Sequence, residues 1–425
     1  MTDSRIVKVS GRRVWDGRGR PAVEAEVALA CGARGRAIAG AGAVRGGCAA
    51  TLLDGGIRLG GLDVRRAVAH VNGEIAKALL GRDATDQEAL DQVLLALDGT
   101  PERSRLGGNA LLAASLASLQ AAAAAHGLPL YAYLLDDEEV ILPLPQVRVF
   151  GAAAGGAGRV DVQDLMVIPV GAASLDQALE WLGEIRRAAE AVAAEWGTLP
   201  AAAEEGSLSP DCDSNEEAID ALMSAIERAG LVPGEEVAIA LDIAASALYE
   251  DGLYHLALDG AELDSDEMID MLAGWLERYP IRTLENPLAA EDAEGLARLT
   301  AAVGEGVQIA APDRIGGDAG RVAEAAAGGA CNTILLAPAD AGTVSEARAA
   351  LDAARAAGWD AIAALGGGGS EDAAIMHLAV GWGIAQLKAG AFAGTGRMAK
   401  WNEGLRIEEA AGARARFGVA GRVLK

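Results

Sequence analysis

The apolar residues change their period within the first third of the chain. Residues 6–45 carry strand patterns, and in residues 23–29 apolar and polar side chains alternate as in a half-buried antiparallel strand. From residue 63 to residue 135 the period becomes helical. This order predicts a small α+β domain over residues 1–135, in which a strand meander is followed by helices.

Short polar signals predict where these helices begin and end. Thr85 is followed three residues later by Glu88, which predicts a capping box at a helix start. Asn109 is predicted to cap the next helix, whose alanine-rich stretch at 110–125 indicates a buried helix. The Gly-Leu-Pro sequence at 127–129 predicts its end.

From about residue 140, short apolar runs alternate with helical segments. Strands alternating with helices predict βα units and parallel pairing. Seven or eight units over residues 140–425 fit a closed (β/α)8 barrel better than an open doubly wound sheet. The predicted strands are 165–170, 237–241, 281–284, 307–311, 333–336, 361–365 and 385–387. Predicted helices include 216–229, 266–278, 291–302, 318–327, 343–357 and 370–380.

Three carboxylates follow successive predicted strands. Active sites of such barrels lie at the carboxyl ends of the strands, where this chain has Asp242, Glu285 and Asp313. Carboxylate oxygens are the ligands that Mg²⁺ prefers. The three acids therefore indicate a magnesium site, although acids in this place also serve as helix caps or as solvated loop residues.

Composition narrows the functional classes. The 425 residues are 51% hydrophobic and 23% charged, which is typical of a soluble globular protein. The formal net charge of −25 argues against binding to nucleic acid or to an anionic membrane surface. Four dispersed cysteines without CxxC spacing argue against a zinc cluster or a disulfide scaffold. We see no signal-peptide pattern and expect a cytoplasmic protein.

Several ordered segments resemble the enolase (phosphopyruvate hydratase) family over almost the whole chain. They match the family's LDGTxNKSxLGANA, GLPLY, SNEEA, IALDxAAS, IEDP and LRIEE motifs at residues 97–110, 127–131, 214–218, 239–246, 284–287 and 405–409. The resemblance implies an N-terminal α+β cap domain, then a barrel with irregular first units. It also implies a homodimer, because Glu24 and Arg406 match positions that pair across the family's dimer interface.

The resemblance implies the dehydration of 2-phosphoglycerate to phosphoenolpyruvate. In this family two Mg²⁺ ions hold the substrate carboxylate, a lysine removes the C2 proton and a glutamate protonates the leaving hydroxyl. The positions that match this machinery are Glu205 (general acid), Lys388 (beside the substrate carboxylate), Asp242 and Glu285 (two ligands of the tighter metal), Gln163 (substrate site) and Asp164 (substrate site, where the family has Glu).

Other family positions carry different residues here. The base lysine falls on Ala337, and the third metal ligand falls on Pro312. Asp313 then lies one residue out of phase, on the opposite face of its strand. We therefore expect the carboxylate triad to fail at Asp313 and Mg²⁺ to be held weakly by the other two acids.

The phosphate site, the family's mobile loop and its histidine loop also differ. The phosphate-binding Arg and Ser fall on Gly366 and Gly367, and the neighbouring His falls on Leu365. The serine that ligates the second metal falls on Ala41, and the family's histidine loop falls on residues 151–156.

These differences predict an inactive or strongly impaired enolase-like protein. The first alternative is a lyase that acts on a different, unphosphorylated carboxylic acid, with Glu205 and Lys388 as its acid and base. The second is a non-catalytic dimeric binding or regulatory partner. Because framework motifs survive while the substitutions gather at the barrel mouth, selection for the fold without the old chemistry, or for another reaction, explains the pattern.

Overall fold

A closed eight-stranded barrel preceded by a smaller strand-and-helix domain confirms the predicted fold class. The computed structural model of the chain describes residues 3–40, 49–135, 139–152, 160–195, 206–209, 211–310, 315–365 and 369–418.

The N-terminal domain begins with the predicted meander. Strands β1 (Ile6–Trp15), β2 (Pro21–Leu29) and β3 (Arg34–Gly40) pair antiparallel in the order β1-β2-β3. The helices that follow are α1 (Arg65–His70), a π-helical turn (Val71–Ile75), α2 (Ala76–Leu79), α3 (Gln87–Asp98), α4 (Gly108–Ala125) and α5 (Leu130–Leu134). A 3₁₀ turn at Arg58–Gly61 precedes them.

Both predicted helix caps in this domain are wrong. The cap of α3 is Asp86, whose side chain accepts a hydrogen bond from Ala89 N at 3.2 Å, while the Thr85 hydroxyl donates to Asp83 instead. Helix α4 begins after Gly107, so Asn109 lies inside its first turn. Its side-chain oxygen accepts from Leu52 N at 3.3 Å and ties a loop to the helix.

Helix α4 is the core of the N-terminal domain, as its composition predicts. Among the described helices it alone is long and apolar enough to span a membrane, and 83% of the tested window is buried inside the fold. Strand β3 approaches it closely at Gly35. A Cβ there would lie 2.1 Å from Ala117 O and 2.2 Å from Ala121 N, so this position needs glycine.

The second domain contains the remaining strands. They are β4 (Val140–Leu142), β5 (Leu144–Gly151), β6 (Asp164–Ile168), β7 (Ala238–Asp242), β8 (Tyr249–Glu250), β9 (Leu253–Leu256), β10 (Ala261–Leu263), β11 (Ile281–Glu285), β12 (Gln308–Ala310), β13 (Thr333–Leu336), β14 (Asp360–Ala364), β15 (Gln386–Ala391) and β16 (Ala415–Phe417). The barrel closes in the order β11-β12-β13-β14-β15-β5-β6-β7. Strands β8 to β10 form a small antiparallel sheet, and β16 pairs with β4.

Strand β6 runs antiparallel to both of its neighbours, so the expectation of parallel pairing is wrong there. The segment that joins β5 to β6, residues 152–163, is short and contains three glycines (155, 156 and 158), which disfavour a crossover helix. Because of this reversal, the first residue of β6, Asp164, pairs with the last residue of β7, Asp242.

Helices surround the barrel. They are α6 (Leu175–Glu195), α7 (Asn215–Arg228), α8 (Ser265–Arg278), α9 (Ala293–Val303), α10 (Ala319–Ala327), α11 (Pro338–Ala341), α12 (Val344–Ala356), α13 (Ala374–Gly381) and α14 (Thr395–Ala411). Further 3₁₀ turns lie at Ala245–Ala247 and Gly412–Arg414. Local caps explain several starts: Ser214 accepts from Glu217 N, and Asp264 forms a capping box with Glu267.

The N-terminal domain is tied to the barrel near the ends of β13 and β14. The Asp372 carboxylate accepts a hydrogen bond from Ile38 N at 2.8 Å. The Asp91 carboxylate accepts from Ser345 N at 2.9 Å. These contacts hold the edge strand β3 and helix α3 beside one side of the barrel mouth.

Candidate active site

Lys388 lies at the centre of a carboxylate cluster at the barrel mouth. Its Nζ donates to Glu285 Oε2 at 2.5 Å and to Asp242 Oδ2 at 2.9 Å, and lies 3.4 Å from Asp164 Oδ2. The lysine side chain is 14% exposed, whereas the three acids are at most 9% exposed. Four of the residues singled out in the sequence are therefore brought together.

Strand register explains the meeting of the acids. Glu285 of β11 pairs with Asp242 of β7, and Asp242 pairs with Asp164 of β6. Three consecutive strands thus end, or in the case of β6 begin, with a carboxylate at the same rim of the barrel. Lys388 reaches them from β15, where it pairs with Gln146 of β5.

The carboxylate oxygens at the centre already accept hydrogen bonds. Asp242 Oδ1 accepts from Asn286 Nδ2 at 3.0 Å and from Ala244 N at 3.1 Å. Its Oδ2 accepts from Lys388 and, at 3.3 Å, from Gln163 Nε2. Glu285 accepts from the Gln146 amide on Oε1 and from Lys388 on Oε2. All four oxygens of these two acids are therefore engaged.

Sequence reasoning missed the polar residues of β5. Arg148 Nε lies 2.8 Å from Asp164 Oδ1, and both side chains are 9% exposed. Gln146 also accepts a hydrogen bond from Gln386 at 2.5 Å. Gln146 and Arg148 stand two residues apart in an apolar run, as do Gln386 and Lys388. This spacing is the signal for polar side chains on the inner face of a strand.

The charges of the cluster balance one another in part. Burial by itself lowers the pKa of Lys388, but Asp242, Glu285 and Asp164 outweigh it and raise that pKa well above its ordinary value. Burial raises the pKa of Asp242, but Lys388 and Asn286 overcome it and hold that pKa below its ordinary value. Burial raises the pKa of Glu285 to about 8, against the attraction of Lys388. The lysine is therefore an ammonium ion at neutral pH.

This arrangement does not fit the Mg²⁺ ion that the resemblance implies. Mg²⁺ requires oxygen lone pairs in a near-octahedral shell at about 2.0–2.1 Å. The oxygens of Asp242 and Glu285 accept from N–H donors instead, and an ammonium group lies between them. Over the described ranges, no group of three or more His, Cys, Asp or Glu side chains is arranged to hold a metal ion.

Of the other predicted site residues, Gln163 lies at the edge of this cluster, and the rest lie outside the described residues. Gln163 is exposed and contacts Asp242, so a role in substrate binding stays a prediction. Glu205 and Asp313 lie outside the described residues, as do Ala41, Gly366 and Gly367. The proposed opposition of Glu205 and Lys388 across the pocket therefore also stays a prediction.

Where the structure describes it, the opposite half of the mouth is mostly apolar. Ala337 follows β13 and is 5% exposed, and Ala364 and Leu365 end and follow β14. Beside them a cavity of about 90 Å³ lies between the two domains. Its lining is mostly apolar, from Ile38, Leu112, Leu116, Pro338, Leu365 and Ile375 among others, with Ser370, Asp372 and Lys400 as polar members.

Lys400 is the buried cation of this apolar half. It is 1% exposed, and its Nζ donates to Ser370 O at 2.5 Å and to Gly396 O at 2.8 Å. Burial lowers its pKa to about 8, although Asp372 and Glu371 attract the proton. Burial also raises the pKa of Asp372.

Comparison with known families assigns both domains. Residues 6–134 match the family model for the enolase N-terminal domain. Residues 139–424 match the family model for the enolase C-terminal TIM barrel domain. The two matches together extend over nearly the whole chain.

Proposed function

Because the chain belongs to the enolase family, we propose that it is a member that has lost the dehydration of 2-phosphoglycerate. The observation that carries the proposal is Ala337, which stands where the resemblance puts the base lysine. It is a buried methyl group at the end of β13 and cannot accept a proton. Loss of a general base typically lowers the rate by about 10²–10⁴-fold.

Lys388 is poorly placed to act as the missing base. Its ammonium group donates to Glu285 and Asp242, and a base must instead present a free lone pair to the substrate. Three acidic side chains already surround its ammonium group, which leaves little attraction for a substrate carboxylate. Beside Leu365 the lining is mostly apolar and its cation, Lys400, already donates to Ser370 O and Gly396 O, so it offers little to a phosphate group.

A lyase for an unphosphorylated acid is the second candidate. The cavity of about 90 Å³ beside the apolar half of the mouth favours it, because a small, largely apolar ligand would fit that lining. In this case Glu205 and Lys388 would serve as the acid and the base, and Lys388 would first have to leave Asp242 and Glu285.

A dimer, with or without catalysis, belongs to the same proposal. Glu24 is flanked by Arg12 and Arg36 of its own chain, and the Arg406 side chain is 66% exposed. The exposure of Arg406 leaves it accessible to a second copy. Light scattering on the wild type and on Arg406→Ala tests this point: we expect a dimer that the substitution weakens.

The decisive experiment follows the ultraviolet absorbance of phosphoenolpyruvate as it forms from 2-phosphoglycerate. It is run with millimolar Mg²⁺, with Glu205→Gln as the matched control. We expect no signal above the control, against about 1–10³ turnovers per second for ordinary enzymes. Turnover at such rates that disappears in the control would refute the proposal. Parallel assays with unphosphorylated hydroxy acids test the second candidate.

A further inference from the structure

We propose that the Lys388 ammonium group is a built-in counter-cation that replaces a divalent metal at the barrel mouth. On this view Asp242 and Glu285 do not bind Mg²⁺ in the folded protein. The inference concerns ion binding alone and does not rest on the proposed function.

The contacts of the ammonium group support this role. An ammonium has three N–H donors, and Nζ lies 2.5, 2.9 and 3.4 Å from oxygens of Glu285, Asp242 and Asp164. These oxygens come from three adjacent strands, so the group bridges the rim as a metal ion would. A divalent cation could enter only by displacing the lysine, because the two positive charges would otherwise repel each other.

The surrounding donors fix the carboxylates in this state. Asn286 and Ala244 N hold the far oxygen of Asp242, and Gln146 holds the far oxygen of Glu285. Arg148 neutralises Asp164 from the opposite side. The three acids thus face two cations and several N–H groups, which leaves few lone pairs for a metal shell.

Removal of the ammonium group should therefore create a metal site. Lys388→Met keeps most of the side-chain volume but leaves three carboxylates together without their central cation. The matched control is Lys77→Met, because Lys77 is exposed on α2. Binding is measured by isothermal titration with MgCl₂ and by electron paramagnetic resonance titration with Mn²⁺.

The wild type and Lys77→Met are expected to show only weak binding that does not saturate. Such non-specific binding is expected of any protein with a formal net charge of −25. Lys388→Met is expected to gain one saturable ion, bound at least about tenfold more tightly than by the wild type. MgCl₂ should also raise its Tm by a few degrees while leaving the wild-type Tm unchanged. Adding Asp242→Asn to Lys388→Met should abolish the gain.

Two results would overturn the inference. One is a saturable Mg²⁺ site in the wild type that Asp242→Asn removes. The other is a folded Lys388→Met protein that gains no ion; if that variant does not fold, Lys388→Gln is titrated in its place. A wild type that binds Mg²⁺ yet makes no phosphoenolpyruvate would refute this inference and leave the proposed function standing. Turnover without bound metal would refute the proposed function and leave this inference standing.

Discussion

The two halves of the barrel mouth are built from similar strands, but the residues at the strand ends are charged on one half and mostly apolar on the other. On one half, strands β6, β7, β11 and β15 present Asp164, Asp242, Glu285 and Lys388 within a few ångströms of one another. On the other half, Ala337 follows β13 and Ala364 ends β14, next to a cavity with a mostly apolar lining. The groups of the charged half pair with one another, whereas the cavity of about 90 Å³ lies beside the apolar half.

One buried lysine on each half shows how the surroundings decide the charge state. The pKa of Lys388 is raised well above its ordinary value because three carboxylates outweigh the effect of burial. The pKa of Lys400 is lowered to about 8 because burial outweighs Asp372 and Glu371. The same residue type therefore stays a cation far above neutral pH on one half and loses its proton near pH 8 on the other.

The largest expected effect comes from removing the cation of the charged half. Lys388→Met leaves the acidic side chains of Asp164, Asp242 and Glu285 with Arg148 as their neighbouring cation, and breaking a buried ion pair in this way costs about 3–5 kcal/mol. Urea unfolding in a chelator measures the loss of free energy of unfolding. The control Lys77→Met should change it by less than about 0.5 kcal/mol.

A companion variant tests the cause of that loss. Adding Asp242→Asn to Lys388→Met removes one of the uncompensated charges and should recover part of the stability. Equal losses in the single and double variants would mean that lost packing, and not charge, explains the effect.

A smaller effect is expected from placing a lysine on the apolar half. Ala337→Lys forces a long cation into a buried position and should cost about 1–3 kcal/mol. Ala337→Met has a similar length without the charge, so the difference between the two variants isolates the cost of burying the ammonium. Phosphoenolpyruvate formation should remain undetectable in Ala337→Lys, because Leu365 and the apolar cavity lining are unchanged. Recovered turnover would mean that the base lysine is the one catalytic group missing from the apolar half.

The pH dependence of stability distinguishes the two lysines further. Lys400 is neutral in the folded protein above about pH 8, whereas its ordinary pKa is 10.5. Between these values only the unfolded chain holds the proton, so the free energy of unfolding rises with pH, by up to about 1.4 kcal/mol per unit. Below about pH 8 both states are protonated and this contribution is constant. Asp372 and Glu371 oppose the shift, and Arg397 adds to it.

Urea unfolding of the wild type and Lys400→Met at several pH values between about 7 and 10 checks this prediction. The stability of the wild type relative to the variant should increase above about pH 8. If the free energies of unfolding of the two proteins changed in parallel with pH, Lys400 would keep its ordinary pKa. The pKa difference between Lys388 and Lys400 described above would then be refuted.

The acids of the charged half were easier to predict from the sequence than the strand directions and the hydrogen-bond partners there. Asp242 and Glu285 each come at the end of an apolar run. In a barrel, the carboxyl ends of such strands meet at one rim, so the two acids could be expected to lie together. The reversal of β6 was missed because parallel pairing was inferred from the strand–helix alternation of the later units, whereas residues 152–163 carry no helical pattern. Arg148 was missed because the two polar residues of this apolar run, Gln146 and Arg148, indicate an inner face without identifying their partners.

The predicted helix caps failed for a related reason. Thr85 and Asp86 are both good N-cap residues. Local sequence cannot choose between them, because packing of the helix decides at which of two adjacent residues it begins. Asn109 has a cap's chemistry, but tertiary contact with Leu52 uses its side chain instead. At the site, the ammonium between Asp242 and Glu285 could not be predicted, because it depends on the closure of the barrel between β15 and β5.

The smallest effect concerns two amides that both donate to Asp242. Asn286 is partly buried, holds Oδ1 at 3.0 Å and has a φ of +46°, whereas Gln163 is exposed and holds Oδ2 at 3.3 Å. Asn286→Gly keeps the backbone unstrained and should cost about 1 kcal/mol through the lost hydrogen bond, while Gln163→Ala should stay within about 0.5 kcal/mol. Urea unfolding of both variants measures the difference. If Gln163→Ala cost as much as Asn286→Gly, the charged half would depend on its exposed rim as well as its buried donors, and Gln163 would not be free to turn toward a ligand.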